Sequence, residues 1–227
     1  MITKSQVFIR SGISNFLGIS RWFCSSIVHN KELFHFMGKW PSEEKTKLLE
    51  DLKVIPNFIT DQEEESIFKE VEPYLKRLHY ESDHWDDAIH GFRETERKQW
   101  YPDNRKILDR VKDLAFNGVI MPYIHVLDLS ADGVIKPHVD STRYCGDTIA
   151  GISLLSQSVM RLVRTGDDAP EEKFSVDIFL DKKSLYIMSK TSRYKFTHEI
   201  LAKENSVFKD KPVEKGRRIS IICRNDP

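Results

Sequence analysis

Two side chains of this 227-residue chain stand out for what they could bind: His138 and Asp140, in Gly133-Val-Ile-Lys-Pro-His-Val-Asp140. An imidazole and a carboxylate at i and i+2 of an extended segment project to the same side, so both can reach one ion. One more distant histidine would complete a two-histidine, one-carboxylate set that leaves positions open, the arrangement suited to non-haem Fe(II). His198, in Tyr194-Lys-Phe-Thr-His-Glu-Ile200, is the candidate because it falls on an expected late strand far along the chain. The competing histidines are weaker: His79 ends an expected helix, His84 and His90 lie in an expected loop, and His29 and His35 flank a basic N-terminal stretch. Zinc in the same pocket is the alternative ion. Cys24, Cys145 and Cys223 have no paired spacing, which gives neither a disulfide framework nor a cysteine zinc motif and suits a reducing compartment. Cys145 and Cys223 read as small, partly buried hydrophobes.

A second chemical signal lies at the C-terminus. Gly216-Arg-Arg-Ile-Ser-Ile-Ile-Cys-Arg224 reads as a strand with Arg218, Ser220, Ile222 and Arg224 on one face. Arginines turned inward from an apolar strand cost desolvation unless an anion meets them. A dicarboxylate would do so, because the guanidinium fork matches carboxylate geometry. The competing reading is a basic edge strand whose arginines sit in water, and Arg217 is assigned to water in either case.

Elements must bring these groups together. Residues 123–130, 134–141, 147–155, 158–165, 174–180, 184–189, 194–201 and 217–223 read as short strands. Phe174, Val176, Ile178 and Leu180 alternate strictly, as a half-buried strand does. Asp132-Gly133, Gly166-Asp167 and Asp181-Lys182 read as turns. Before them come two amphipathic helices. The first opens on the capping box Thr60-Asp-Gln-Glu63, carries Ile67, Phe68, Val71, Leu75 and Leu78 on one face, and contains Pro73, which would kink or divide it. The second follows Pro102-Asp103, carries Ile107, Leu108, Val111, Leu114 and Ala115, and can end at Gly118. Between them, His84-Trp-Asp-Asp-Ala-Ile-His-Gly-Phe-Arg93 has no period and reads as a loop, either the rim of a cleft or a segment pinned by Trp85 and Phe92. Many short strands after helices predict a mainly β, α+β fold: an antiparallel double-stranded β-helix, or jelly roll, flanked by N-terminal helices.

Composition sets limits. Hydrophobic residues make up 40% of the chain, ample for a core, and no apolar run is long enough for a membrane span. Lys plus Arg and Asp plus Glu both number 35, so the whole molecule carries no strong field for nucleic acid or anionic lipid. Residues 1–31 are basic, Ser-rich and free of acids, the composition of a mitochondrial transit peptide. The expected organisation is therefore a transit peptide at 1–31, a junction at 32–51 and one folded domain at 52–227.

His138-x-Asp140, the distant His198 and the inward Arg218 and Arg224 together resemble the Fe(II)/2-oxoglutarate dioxygenases, and the terminal arginine pair resembles their AlkB family. His84–Glu96, Ile135–Ser141, Ile149–Ser156, Ser158–Val163, Phe196–Leu201 and Arg217–Arg224 are similar to mitochondrial members of that family, a likeness covering about residues 52–225. The resemblance implies iron ligands His138, Asp140 and His198, with Fe(II), 2-oxoglutarate and O2 as cofactors and cosubstrates. It also implies Arg218 on the far carboxylate of 2-oxoglutarate, Arg224 near its other end, and contacts from Tyr186 and His125. Two departures accompany it: the family's Asn-x-Tyr pair reads Leu127-Asp128-Leu129, and Ser220 and Ile222 stand between the arginines. The interval between the helices is also short for a base-gripping lid. The implied activity is oxidative demethylation of N-methylated bases in mitochondrial precursor tRNA, yielding formaldehyde, succinate and CO2, in the mitochondrial matrix. Two alternatives stay open: a protein or small-molecule hydroxylase, and a matrix regulatory or interaction protein with little turnover. A monomer without a membrane span, with RNA or a matrix protein as partner, is the expected state.

Overall fold

Side chains of a strand alternate between two faces, and in central strands such as Thr148–Leu154 both faces are buried, so the sheet is organised by where those faces go. The structure is a computed structural model that describes residues 31–82, 84 and 87–227. In chain order it comprises β1 (Phe34–Met37), α1 (Ser42–Asp51), β2 (Leu52–Ile55), α2 (Asp61–Leu75), β3 (Ile89–Arg97), α3 (Pro102–Ala115) and β4 (Ile124–His138). There follow β5 (Thr148–Leu154), β6 (Ser158–Arg164), β7 (Ser175–Leu180), β8 (Leu185–Ser189) and the short α4 (Lys190–Tyr194). β9 (Phe196–Ile200), β10 (Val207–Phe208), β11 (Lys211–Pro212) and β12 (Arg218–Arg224) complete the chain. Ten strands form one curled sheet in the order β1-β7-β6-β9-β4-β12-β5-β8-β2, with β3 also on β4, while β10 and β11 pair separately. Neighbouring strands in it run antiparallel. This is the jelly-roll architecture expected from the sequence.

β4 is the spine that joins the two halves. Its first part, His125–Leu129, pairs with β12, and its end, Ile135 and His138, pairs with β9. The sequence suggests two strands broken at Asp132-Gly133; instead one fifteen-residue strand runs through. Register shifts take up the bend, between Ile135 and His138 on the β9 side and between His90 and Phe92 on β3. Gly91 has φ +64°, and a Cβ on it would lie 3.1 Å from the Cα of Gly133, so two glycines let the backbones approach there.

Alternation then separates two apolar layers. Ile219, Ile221 and Cys223 of β12 join Ile67, Val71, Ile107, Leu108 and Val111 of α2 and α3. The opposite face, with Leu127, Leu129, Ile149, Tyr186 and Ile222, packs toward β6, β7 and β9 inside the curl. α2 opens on the expected capping box, Glu63 N–H donating to Thr60 Oγ1 at 3.2 Å and Thr60 N–H to Glu63 Oε2 at 2.9 Å. It passes through Pro73 and ends at Leu75, so Leu78 lies beyond it and is 39% exposed.

Two further expectations change. Residues 32–51, read as a junction, supply β1, which pairs with β7, and α1, whose Leu48 is fully buried. Glu43, Lys47 and Glu50 lie on the exposed face of that helix. The segment read as a loop over residues 84–93 enters β3 at Ile89, a strand whose alternation is hidden because its partners on β4 include His125 and Asp128. Residues 1–30 of the transit-peptide stretch, with Cys24, and Trp85 lie outside the described residues.

Candidate functional site

The register of β4 and β9 places His138 directly opposite His198, and facing residues of an antiparallel pair have adjacent side chains. The two rings lie with centroids 4.3 Å apart. Asp140 sits just past the end of β4 rather than within a strand, and its Oδ1 lies 3.1 Å from His138 Nε2 and 3.6 Å from His198 Nε2. Donor atoms of all three residues fall within 4.8 Å of one another. His138 Nδ1 is 2.8 Å from the carbonyl of Lys136; a carbonyl only accepts, so Nδ1 carries a proton, and Nε2, 3.1 Å from Asp140 Oδ1, can exchange the proton shared there for a cation. Lone pairs from two imidazoles and a carboxylate converging on one point are satisfied by a cation.

The protonation states agree. Burial pushes the His198 pKa down to about 4, against the attraction of Asp140, so its imidazole is neutral near pH 7. Burial works the other way on Asp140. The His138 hydrogen bond and the positive charges around it outweigh that burial and hold its carboxyl well below the usual carboxylate range. A neutral histidine and an ionised carboxylate are the forms that bind metal.

Beside this trio, Arg218, Tyr186, His125 and Arg224 line the same cavity as the three ligand candidates. Arg218 is 2% exposed, with Nη2 donating to Ser153 Oγ at 2.8 Å and the Tyr186 hydroxyl beside it. Its Nε is buried and finds no partner among the described residues, and no carboxylate pairs with the guanidinium. Burial accordingly lowers the Arg218 pKa and raises that of Tyr186. An anion with a carboxylate end fits this fork. Tyr186 owes its position to Gly151, its cross-strand partner, where a Cβ would overlap the phenol ring. At the other end of the cavity, Arg224 Nη2 lies 3.4 Å from Asp140 Oδ2 and Nη1 lies 3.1 Å from His125 Nδ1.

Thus the seven residues singled out from the sequence meet in one cavity. Ser153, Gly151 and Glu94 were not singled out. Ser153 and Gly151 share a face of β5, and their alternation was the available signal; Glu94 lies on the strand read as a loop. Arg217, assigned to water, instead pairs with Glu72 at 2.5 Å and with the buried Asp128 at 2.8 Å. Asp128 also accepts from Arg93 at 2.7 Å and Tyr80 at 3.2 Å. His79, one of the competing histidines, is not part of the cavity lining. The cavity opens into an outer cleft of about 710 Å³ whose walls include His84, Glu94, Glu96, Tyr123, Arg143 and Tyr144.

No family model matches the chain. The bovine protein named alpha-ketoglutarate-dependent dioxygenase alkB homolog 7, mitochondrial (Bos taurus), is 50% identical over 182 residues, 79% of this chain and 80% of the relative. Its mouse counterpart (Mus musculus) is 49% identical over 183 residues, 80% of this chain and 81% of the relative. Among solved structures, that of OsALKBH1 superposes with a TM-score of 0.54 at 12% identity, covering 77% of this chain and 98% of that one. That likeness speaks to the fold alone.

Proposed function

Because the chain belongs to the alpha-ketoglutarate-dependent dioxygenases of the alkB homolog 7 type, we propose that His138, Asp140 and His198 hold Fe(II) and that Arg218 and Tyr186 receive the distal carboxylate of 2-oxoglutarate. The observation that carries this reading is the buried Arg218, a guanidinium paired with no carboxylate among the described residues, in the cavity that contains the metal-ligand trio. Bound iron and cosubstrate supply the chemistry: 2-oxoglutarate, O2 and a substrate C–H become succinate, CO2 and a hydroxylated product. The chain's own residues orient and match charge. His138 and His198 present neutral nitrogens, Asp140 a carboxylate, and Arg218 fixes the cosubstrate at the closed end. Arg224 and His125 close the other side and border the outer cleft.

The leading substrate is an N-methylated base in mitochondrial RNA, precursor tRNA in particular, whose hydroxymethyl product releases formaldehyde. Tyr123, Tyr144 and Arg143 at the cleft wall suit stacking and phosphate contact. Matrix residence belongs to the same reading: the relatives are mitochondrial, and residues 1–31 hold basic but no acidic side chains. A protein or small-molecule hydroxylase is the second reading, favoured by Glu94 and Glu96, which repel phosphates from the same cleft.

The test is incubation with Fe(II), 2-oxoglutarate, O2 and mitochondrial RNA, following succinate, formaldehyde and methylated nucleosides. Wild type should produce the first two and deplete the third, while His138→Ala should do none of these. Succinate above the background without a change in RNA moves the substrate to protein or small molecule. No succinate under any condition sinks the enzymatic reading.

A further inference from the structure

A hydrogen-bond chain runs outward from the cavity and ends on a residue that neither the metal nor the cosubstrate set explains. Glu94 on β3 reaches diagonally to His125 on β4, its Oε2 2.7 Å from Nε2. The other ring nitrogen, Nδ1, lies 3.1 Å from Arg224 Nη1, and Arg224 Nη2 lies 3.4 Å from Asp140 Oδ2. Donor and acceptor inventories fix the direction of each link. A guanidinium has only N–H groups, so His125 Nδ1 must accept. The single proton of the neutral ring then sits on Nε2, where an ionised carboxylate can take it.

We propose that Glu94 is a positioning residue, holding His125 in the Nε2–H tautomer so that Nδ1 remains a lone-pair acceptor for Arg224. With the other tautomer an N–H would face the guanidinium, and Arg224 would swing away from Asp140 and from the cosubstrate's near end. The surroundings fit this role. The His125 side chain is 14% exposed, so water does not readily replace its partners. The His125 hydrogen bond holds the Glu94 carboxyl below its ordinary value despite the opposing effect of burial. Glu94 is not needed to hold β3 in place, because the β3–β4 ladder and the Arg93–Asp128 pair do that. The effect on cosubstrate rests on the dioxygenase reading; the tautomer does not.

Two variants of the full chain separate the possibilities. Glu94→Leu removes the acceptor at similar volume, with Glu94→Ala as a second acceptor-free variant should leucine impair folding; Glu94→Gln keeps an acceptor oxygen. In metal-free protein labelled with 15N-histidine, NMR at a pH where the ring is neutral should show Nε2–H for His125 in wild type and Glu94→Gln. In Glu94→Leu it should show Nδ1–H or a mixture. With Fe(II), the KM for 2-oxoglutarate should rise about tenfold in Glu94→Leu, the low end for loss of an outer partner, with kcat changed less than about twofold and Glu94→Gln near wild type. An Nδ1–H ring in wild type, or an unchanged tautomer in Glu94→Leu, overturns the proposal. So does a KM that does not follow the tautomer. Wild type without turnover would sink the dioxygenase reading, while the NMR result would still decide this one.

Discussion

Arg218→Met makes an unusual pair of demands: it should stabilise the protein alone and abolish its response to 2-oxoglutarate. Arg218 is 2% exposed, donates to Ser153 at 2.8 Å beside the Tyr186 hydroxyl, and keeps a buried Nε without a partner among the described residues. A buried cation without a counter-charge is unfavourable, and apolar replacement of buried charge commonly gains about 1–4 kcal/mol. Taking about 1–2 kcal/mol here, since Ser153 and Tyr186 partly solvate the group, the variant should melt about 2–8 °C higher at this chain length. Wild type should itself gain about 2.7 kcal/mol at a 2-oxoglutarate concentration one hundred times Kd, or about 5–11 °C. The variant should gain almost nothing. Thermal melting with Mn(II) in place of Fe(II), with and without 2-oxoglutarate, reads both quantities. A variant that melts lower than wild type without cosubstrate and still shifts with it would refute the reasoning that Arg218 awaits a carboxylate.

Other expectations follow from the same geometry. Asp128→Ala should cost about 3–5 kcal/mol in urea unfolding, because it leaves Arg93 and Arg217 without their shared buried carboxylate; a loss under about 1 kcal/mol would contradict this. Gly151→Ala should fold yet bind 2-oxoglutarate more weakly, since its Cβ displaces the Tyr186 ring, at an overpacking cost of about 1–3 kcal/mol; unaltered calorimetric affinity would argue against a role for Tyr186. Lys215 is 3% exposed, donates to the Gly133 carbonyl, and has its pKa lowered by burial to about 8. Between about pH 8 and the unfolded value near 10.4 the unfolded chain holds that proton and the folded chain does not, so this group makes stability rise with pH. Lys215→Met should therefore exceed wild type by about 1–2 kcal/mol below pH 8, with the gap closing toward pH 10; a gap independent of pH would count against it.

What the sequence made legible was periodic. Arg218, Ser220, Ile222 and Arg224 are read as one strand face, and the cavity lining contains all four. His138 and His198 were paired by their chemistry, but the reason they meet is the β4–β9 register, a long-range property no local pattern contains. Asp140 converges through the chain's exit from β4 rather than through the regular pleat of an extended segment. β3 was missed because Arg93 and Glu94 satisfy buried partners, Asp128 and His125, and so erase the polar-apolar alternation that marks a half-buried strand. The same disguise hid Arg217, whose exposed-looking charge is spent on Glu72 and Asp128. Helix α1 escaped because Leu48 alone among its residues is buried. Long-range charge pairs and single-anchor helices leave little trace in composition.

The central claim is that Fe(II) on His138, Asp140 and His198 shares the cavity with 2-oxoglutarate held by Arg218. Anaerobic titration of the full chain with Fe(II), then 2-oxoglutarate, tests it by the visible charge-transfer absorption that arises when the keto acid chelates protein-bound iron. Wild type should give a saturable band at equimolar iron, lost in His138→Ala and requiring far more cosubstrate in Arg218→Met. A wild-type protein that binds Fe(II) and gives no such band at any 2-oxoglutarate concentration would contradict it.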